Sequence, residues 1–306
     1  MTARADPAGV MHVAWAGDRA YVPHAAAALR SLTGHASGER IHAHFLHPSG
    51  TDTRCLEGLR SIAAGGPLTV ELHAISPAQV TGLPGWGRIP PTMWYRILLP
   101  ELLPGVERVL YLDCDVLVLT SISPLWALDL TDSYLAAVTN VPEQHMLGHA
   151  RELGLAGPER YFNSGVLLMN LELMRRDGCA AALRECALDR SGHLLWPDQD
   201  ALNLVLGERR HALHPRWNLM NSIRSFPWSA DLFAPGAVAE AIRDPAIIHF
   251  EGPRQNKPWH VLCDHPYRDA YLAHRRQTPW PRVRRDGVTP ANMVRALRRR
   301  RTAVTP

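Results

Sequence analysis

Short apolar runs alternate with helix-period stretches from Val10 to about Pro124, and no other feature limits the fold of this chain as strongly. That alternation predicts βα units wound around a mostly parallel sheet. Strands are expected at 11–16, 41–46, 68–72 and 108–112, with helices at 23–32 and 52–63, the second opened by Asp52 as its N-cap. Residues 83–91, rich in Gly and Pro, read as a loop that feeds a helical stretch at 92–99. The second half is mixed, with strands expected near 134–138, 164–170 and 246–250 and helices near 171–188 and 198–206. No internal repeat is visible. At 306 residues the chain accommodates one large α/β domain or a core with a small appendage.

Composition narrows the functional classes. Apolar residues make up 46% of the chain and charged residues 20%, enough to bury a core and too hydrophobic for a disordered protein. No stretch reaches the ~18 to 20 apolar residues of a membrane helix. The apolar run from Val10 is broken by His12 and stopped by Gly17-Asp18, so a signal peptide is not expected and the expected location is the cytoplasm. Five cysteines without a C-x-x-C pair argue for reduced thiols and against a structural zinc built on them.

The net charge of +4 conceals an asymmetry, because residues 275–306 hold ten arginines and one aspartate, a local +9 that leaves −5 on the rest. A shift in composition near Arg275 therefore separates a domain at 1–274 from an Arg-rich C-terminal tail at 275–306. A globally basic nucleic-acid binder is a poor reading of such a chain. Residues 292–301 set Met293, Val294, Ala296 and Leu297 beside Arg295 and Arg298 to Arg301, a basic amphipathic segment suited to peripheral contact with the anionic inner face of a membrane. The alternative is a solvated end.

The sharpest chemical feature is Val109-Leu110-Tyr111-Leu112-Asp113-Cys114-Asp115, an apolar strand running straight into two carboxylates. The carboxyl ends of strands are where open α/β sheets bind ligands. Residues i and i+2 of an extended segment point to the same side, so both carboxylates can reach one hard cation. Two solvated loop aspartates are the competing reading. A second apolar strand, Ile247-Ile248-His249-Phe250, ends in another metal-ligand type and is followed by Gly252 and Lys257, the sole lysine of the chain. Glycine lets backbone approach a phosphate, and an ammonium is a compact charge suited to a diphosphate. His42, His44 and His47 recur along a strand as well, but a solvated strand face with no carboxylate nearby is the expectation there, and they are assigned no role.

Taken in order, Val13-Ala14-Trp15-Ala16-Gly17-Asp18, Thr92-Met93-Trp94-Tyr95-Arg96, Tyr111 to Asp115, Tyr161-Phe162-Asn163-Ser164-Gly165-Val166 with Met169-Asn170, Asp198-Gln199-Asp200-Ala201-Leu202-Asn203 and His249 to Trp259 carry a resemblance. The sequence resembles the family-8 glycosyltransferases, retaining GT-A enzymes that include bacterial lipopolysaccharide galactosyltransferases and glycogenin. The resemblance implies a Rossmann-like, mostly parallel sheet with flanking helices, with the basic tail as an appendage. It implies that Asp113, Asp115 and His249 hold Mn²⁺ or Mg²⁺ against the diphosphate of a nucleotide-sugar. Ala16, Asp18 and Tyr21 would seat the base and ribose, with Cys114 between the two metal ligands, and Gly252 and Lys257 would contact the phosphates. Arg96, Asn163, Asp198 and Gln199 would surround the transferred sugar.

The implied reaction is retaining transfer of a hexose, galactose or glucose, from a UDP-sugar to a hydroxyl acceptor: a glycan, a lipid-linked sugar or a small molecule. Asp198 and Gln199 are its catalytic candidates. A metal-dependent nucleotidyltransferase or nucleotide-sugar hydrolase is the alternative.

Overall fold

The computed structural model describes residues 9–36, 38–63, 67–85, 90–282 and 284–302, except for the side chains of 297–302. Its strands are β1 (Val10–Ala16), β2 (Arg40–Pro48), β3 (Leu68–Ile75), β4 (Arg108–Leu112), β5 (Val116–Val118), β6 (Leu135–Thr139), β7 (Phe162–Asn170), β8 (Arg210–Ala212), β9 (Leu219–Met220) and β10 (Ile247–His249). Seven of them form the central sheet in the order β3-β2-β1-β4-β7-β6-β8. Every pairing is parallel except those of β7 with β4 and with β6. A second sheet has the order β5-β10-β9. The fold is therefore α/β with a mostly parallel central sheet, as the alternation of apolar runs and helical periods requires.

Each face of the central sheet buries its own apolar cluster. Val13, Trp15, Ala43 and Phe45 point to one side, where the helix Val22–Gly34 packs with Val22, Ala25, Ala26 and Leu29. Ala14, Leu46, Tyr111 and Leu167 point to the other, against Trp94, Ile97, Leu183 and Leu202. The helix Thr53–Ser61 is capped by Asp52, whose Oδ1 accepts from the amide of Arg54 at 2.8 Å. The expected helix at 92–99 is a 3₁₀ turn, Pro91–Leu98, continued by Leu99–Leu102.

The single helix expected at 171–188 is two, Leu171–Arg176 and Cys179–Asp189. Gly178 adopts φ 67°, a left-handed conformation glycine reaches at little cost, and it breaks the run there. Residues 86–89 of the expected loop lie outside the described residues.

Two further expectations meet the structure differently. The stretch read as a tail begins inside the helix Arg268–Arg276, where Arg275 is buried and donates to the carbonyl of Trp280 at 2.7 Å. Trp280 in turn lies against Gly58. A helix follows at Pro290–Thr302, with Met293 and Val294 exposed. The histidines of β2 do not form a solvated face without a carboxylate. His44 is 1% exposed, Glu71 of β3 approaches both His42 and His44, and His47 is buried on the opposite face beside Phe45. Burial first, then the neighbouring His42, His12 and His73, holds the His44 imidazole far below its ordinary pKa. Strand pairing is the reason sequence spacing missed this, since β1 and β3 supply the other groups.

Candidate active site

Where β4 leaves the central sheet, Asp113-Cys114-Asp115 carries the chain into β5 of the second sheet. The junction is fixed by backbone on both sides: Asp113 N–H donates to Gly165 O at 2.8 Å and Phe250 N–H to Asp115 O at 2.9 Å. Pairing of β10 with β5, His249 opposite Val116, then delivers the imidazole to the carboxylates. His249 Nε2 lies 3.4 Å from Asp115 Oδ1 and 3.7 Å from Asp113 Oδ2. The three residues expected to hold a metal thus converge, with one ligand atom from each within 4.8 Å of the others.

The surroundings make the group fit a hard divalent cation. The second ring nitrogen, Nδ1 of His249, is 3.0 Å from Asn218 Oδ1, and an N–H there leaves the Nε2 lone pair facing the carboxylates. Gly165 lies directly against the cluster, where a Cβ would come within 2.2 Å of His249 Cε1 and 2.8 Å of Asp113 Oδ2. Three closely placed oxygen and nitrogen donors, two of them carboxylates, are a ligand set suited to a divalent cation.

Two cations balance the carboxylates. Lys257 Nζ bonds Asp115 Oδ2 and also donates to Phe250 O at 2.7 Å, so the sole lysine reaches the site. Gly252 makes that loop with φ 85°. Burial favours the neutral acid at Asp115, but Lys257 and His249 outweigh it and hold the carboxyl well below its ordinary value. Buried Arg96 is 3.0 Å from Asp113 and 3.5 Å from Asp198, donates to Ser164 O, and stacks 4.4 Å over the Tyr111 ring. Asp198 behaves differently from Asp115: burial pushes its pKa from 3.8 up to about 6, with Arg96 only partly opposing.

A chain of amides links the carboxylate cluster to the helix Pro197–Leu206. Asn218 donates to Asn163 Oδ1 at 2.9 Å, and Asn163 Nδ2 donates to Gln199 Oε1 at 3.2 Å and to Asn140 Oδ1 at 3.3 Å. Ser164 N–H also donates to Gln199 Oε1, at 3.0 Å. Gln199 Nε2 donates to Tyr161 Oη at 3.1 Å, and that hydroxyl bonds buried Asp200, itself 3.0 Å from His149 Nε2. Asn163 therefore spends its hydrogen-bonding capacity on positioning its neighbours.

On the other side of β4, Cys114 Sγ is 3.3 Å from Ala16 O. Asp18 Oδ1 accepts from the amides of Ala20 and Tyr21 at 2.9 and 3.2 Å, shaping the turn into the helix Val22–Gly34. The Tyr21 ring lies edge-on to Trp259, 6.2 Å away. Asn218, Tyr111 and Gly165 escaped the residue-by-residue reading. Asn218 sits in a short 3₁₀ turn after β8 with no motif around it, whereas Gly165 stood inside the Phe162-Asn163-Ser164-Gly165 segment and was passed over because glycine offers no side chain.

A model of glycosyl transferase family 8 matches residues 12–263. The chain belongs to glycosyl transferase family 8. Its members transfer sugars, so this is a sugar-transferring enzyme. It is 32% identical over 213 residues to general stress protein A of Bacillus subtilis strain 168, a match spanning 68% of this chain and 70% of that protein. It is 25% identical over 282 residues to a lipopolysaccharide 1,2-glucosyltransferase of Escherichia coli, covering 91% and 81% of the two chains. Among solved structures, the galactosyltransferase LgtC in complex with donor and acceptor sugar analogues superposes with a TM-score of 0.79 at 27% identity, over 88% of this chain and 96% of that one.

Proposed function

We propose that this family-8 enzyme moves a hexose, galactose or glucose, from a UDP-sugar to a hydroxyl acceptor with retention of anomeric configuration, using Mn²⁺ or Mg²⁺. The observation that carries the reading is the meeting of Asp113, Asp115 and the His249 imidazole at the junction of two sheets, with Lys257 on Asp115. Asp113, Asp115 and His249 would hold the ion, which when bound offsets negative charge developing on the leaving diphosphate. The donor and acceptor sugar analogues bound to LgtC, and the glucosyltransferase name of the Escherichia coli relative, support the hexose donor and a glycan-type acceptor. Among the described residues no helix is long and apolar enough to cross a membrane. The exposed Met293 and Val294 on a basic helix support peripheral contact with an anionic surface.

Each protein group then has a task. Lys257 exchanges Asp115 for a phosphate oxygen when the donor enters, placing a compact positive charge where negative charge accumulates. Tyr21 and the turn shaped by Asp18 seat the nucleoside. Arg96 lies between Asp113 and Asp198 and offsets the charge of both carboxylates. Asp198 binds sugar hydroxyls, and Gln199, locked by Ser164, Asn163 and Tyr161, steadies positive charge at the anomeric carbon. A double displacement would need a carboxylate placed to bond that carbon, as in retaining glycosidases. Gln199 is an amide and a feeble nucleophile, so attack comes from the front face, with the leaving phosphate accepting the proton of the acceptor hydroxyl.

The test is a screen of UDP-galactose, UDP-glucose and their GDP counterparts with Mn²⁺, first without acceptor and then with short oligosaccharides. Slow release of UDP from one donor is expected, and proton NMR of the first-formed glycoside should show the α linkage kept. An inverted linkage refutes retention, and a sugar adduct on Asp198 in intact-mass spectra replaces front-face attack with double displacement.

A further inference from the structure

Across the sheet from the carboxylate cluster, β1, β2 and β3 place His12, His42, His44, Glu71 and His73 on one face. Parallel register does this: His12 pairs with His42, and His44 with Glu71, while residues two apart along each strand share a face. His73 stands level with Leu46, the partner of Ala16, so the group is separated from the nucleotide-sugar region sideways, with β3 three strands from β4, roughly 14 Å across the sheet at about 4.8 Å per strand.

We propose that His44, Glu71 and His73 form a second metal site, selective for a borderline divalent ion of the zinc type and separate from the carboxylate-rich site at Asp113. His44 Nδ1 and His73 Nε2 are 3.0 Å apart, Glu71 Oε2 is 3.6 Å from His44 Nδ1, and Glu71 Oε1 is 3.9 Å from His73 Nε2. A tetrahedral zinc with bonds of about 2.0–2.1 Å requires its ligand atoms to stand roughly 3.3–3.4 Å apart, a value these separations bracket. Two imidazoles and a carboxylate, with a fourth position open toward solvent through half-exposed Glu71, are a known type of zinc ligand set.

The remaining two histidines stand where supporting partners of such ligands belong. His12 Nδ1 is 2.9 Å from His44 Nε2, so an N–H on Nε2 donates to His12 and leaves Nδ1 of His44 free to ligate. His42 Nε2 is 3.2 Å from Glu71 Oε2 and holds the carboxylate in place. His12, His42 and His44 also converge among themselves, but that set contains no carboxylate to offset the charge of the ion. The imidazole-rich site prefers zinc, whereas the two-carboxylate site suits a harder ion. Because β3 is an edge strand of the sheet, an ion bound between His44 and His73 ties that edge to β2.

The experiment uses full-length protein without a histidine tag, stripped with EDTA and titrated with Co²⁺ as a spectroscopic stand-in for Zn²⁺. Wild type and Asp113→Asn should both develop the strong visible bands of low-coordinate Co²⁺, which an oxygen-rich six-coordinate site lacks. Glu71→Gln combined with His73→Gln should lose the bands, and His12→Ala should weaken Co²⁺ binding by about 10–100-fold, the usual effect of removing a supporting partner. Neither Glu71 nor His73 belongs to the apolar core, so folding of the double variant is checked by its melting temperature without metal. In an Asp113→Asn background, Zn²⁺ should raise that temperature, and should leave it unchanged once Glu71→Gln and His73→Gln are added. Absence of the bands in wild type, or their persistence at full strength in the double variant, overturns the site and leaves a hydrogen-bonded stack of imidazoles.

Discussion

Replacing Gly165 with alanine tests the metal-site geometry through a single methyl group. Gly165 is buried in β7, and the added Cβ would sit 2.2 Å from His249 Cε1, 2.8 Å from Asp113 Oδ2 and 2.9 Å from His249 Nδ1. Carbon atoms in contact rest about 3.5–4.0 Å apart, so the imidazole must retreat by more than about 1 Å. It has little room to do so, since its Nδ1 is tied to Asn218 and its strand is paired with both β5 and β9. Overpacking of this kind costs about 1–3 kcal/mol. At no more than about 2–4 °C per kcal/mol, the scale of domains somewhat smaller than this chain, the expected fall in melting temperature is at most of the order of 2–12 °C. Displacement by half a bond length also removes His249 as a ligand, which should weaken Mn²⁺ by at least the ~10–100-fold seen when a supporting partner is lost. Calorimetric Mn²⁺ titration and thermal unfolding measure the two effects, with Gly192→Ala as control because nothing lies within 4 Å of a Cβ there. A Gly165→Ala protein with unchanged melting temperature and Mn²⁺ affinity would show that the cradle around His249 is not as tight as argued.

Lys257→Ala should lower turnover by about two to three orders of magnitude, the scale of one lost electrostatic stabiliser, and Lys257→Arg should recover only part of it in steady-state assays. Asp198 gives a pH signature. Its carboxyl titrates at about 6 in the folded state against 3.8 otherwise, so the folded protein holds the proton longer and stability falls as pH rises from about 4 to 6. At about 1.4 kcal/mol for each pKa step the loss has a ceiling of about 3 kcal/mol, and urea unfolding at pH 4.5 and pH 7 should show Asp198→Asn losing that slope. Gln199→Ala should slow transfer without any covalent sugar adduct in intact-mass spectra. Removal of residues 289–306 should abolish sedimentation with phosphatidylglycerol vesicles at low salt while leaving donor hydrolysis unchanged.

The central sheet was legible because its strands are continuous apolar runs: residues 11–16, 41–46 and 108–112 reappear as β1, β2 and β4 with ends moved by no more than two residues. The short strands β5, β8 and β9 were not, since two or three residues carry no period and exist only through their pairing partners. The same division holds at the site. Asp113 and Asp115 announced themselves by standing at the end of an apolar strand, and His249 by ending another. Asn218 and the amide chain through Asn163 to Gln199 are joined across 36 to 55 positions of sequence and become visible only when the sheets are assembled. His44 was misread for that reason too, because its carboxylate neighbour belongs to the next strand.

The central claim is that Asp113, Asp115 and His249 bind a divalent cation that recruits a UDP-sugar. Isothermal titration of UDP into the wild-type protein, with Mn²⁺ and then with excess EDTA, tests it most directly. The account predicts saturable binding with Mn²⁺, loss of at least about tenfold in affinity on chelation, and no Mn²⁺ effect in Asp115→Asn. Equal UDP affinity in Mn²⁺ and in EDTA, with Asp115→Asn indistinguishable from wild type, would contradict it.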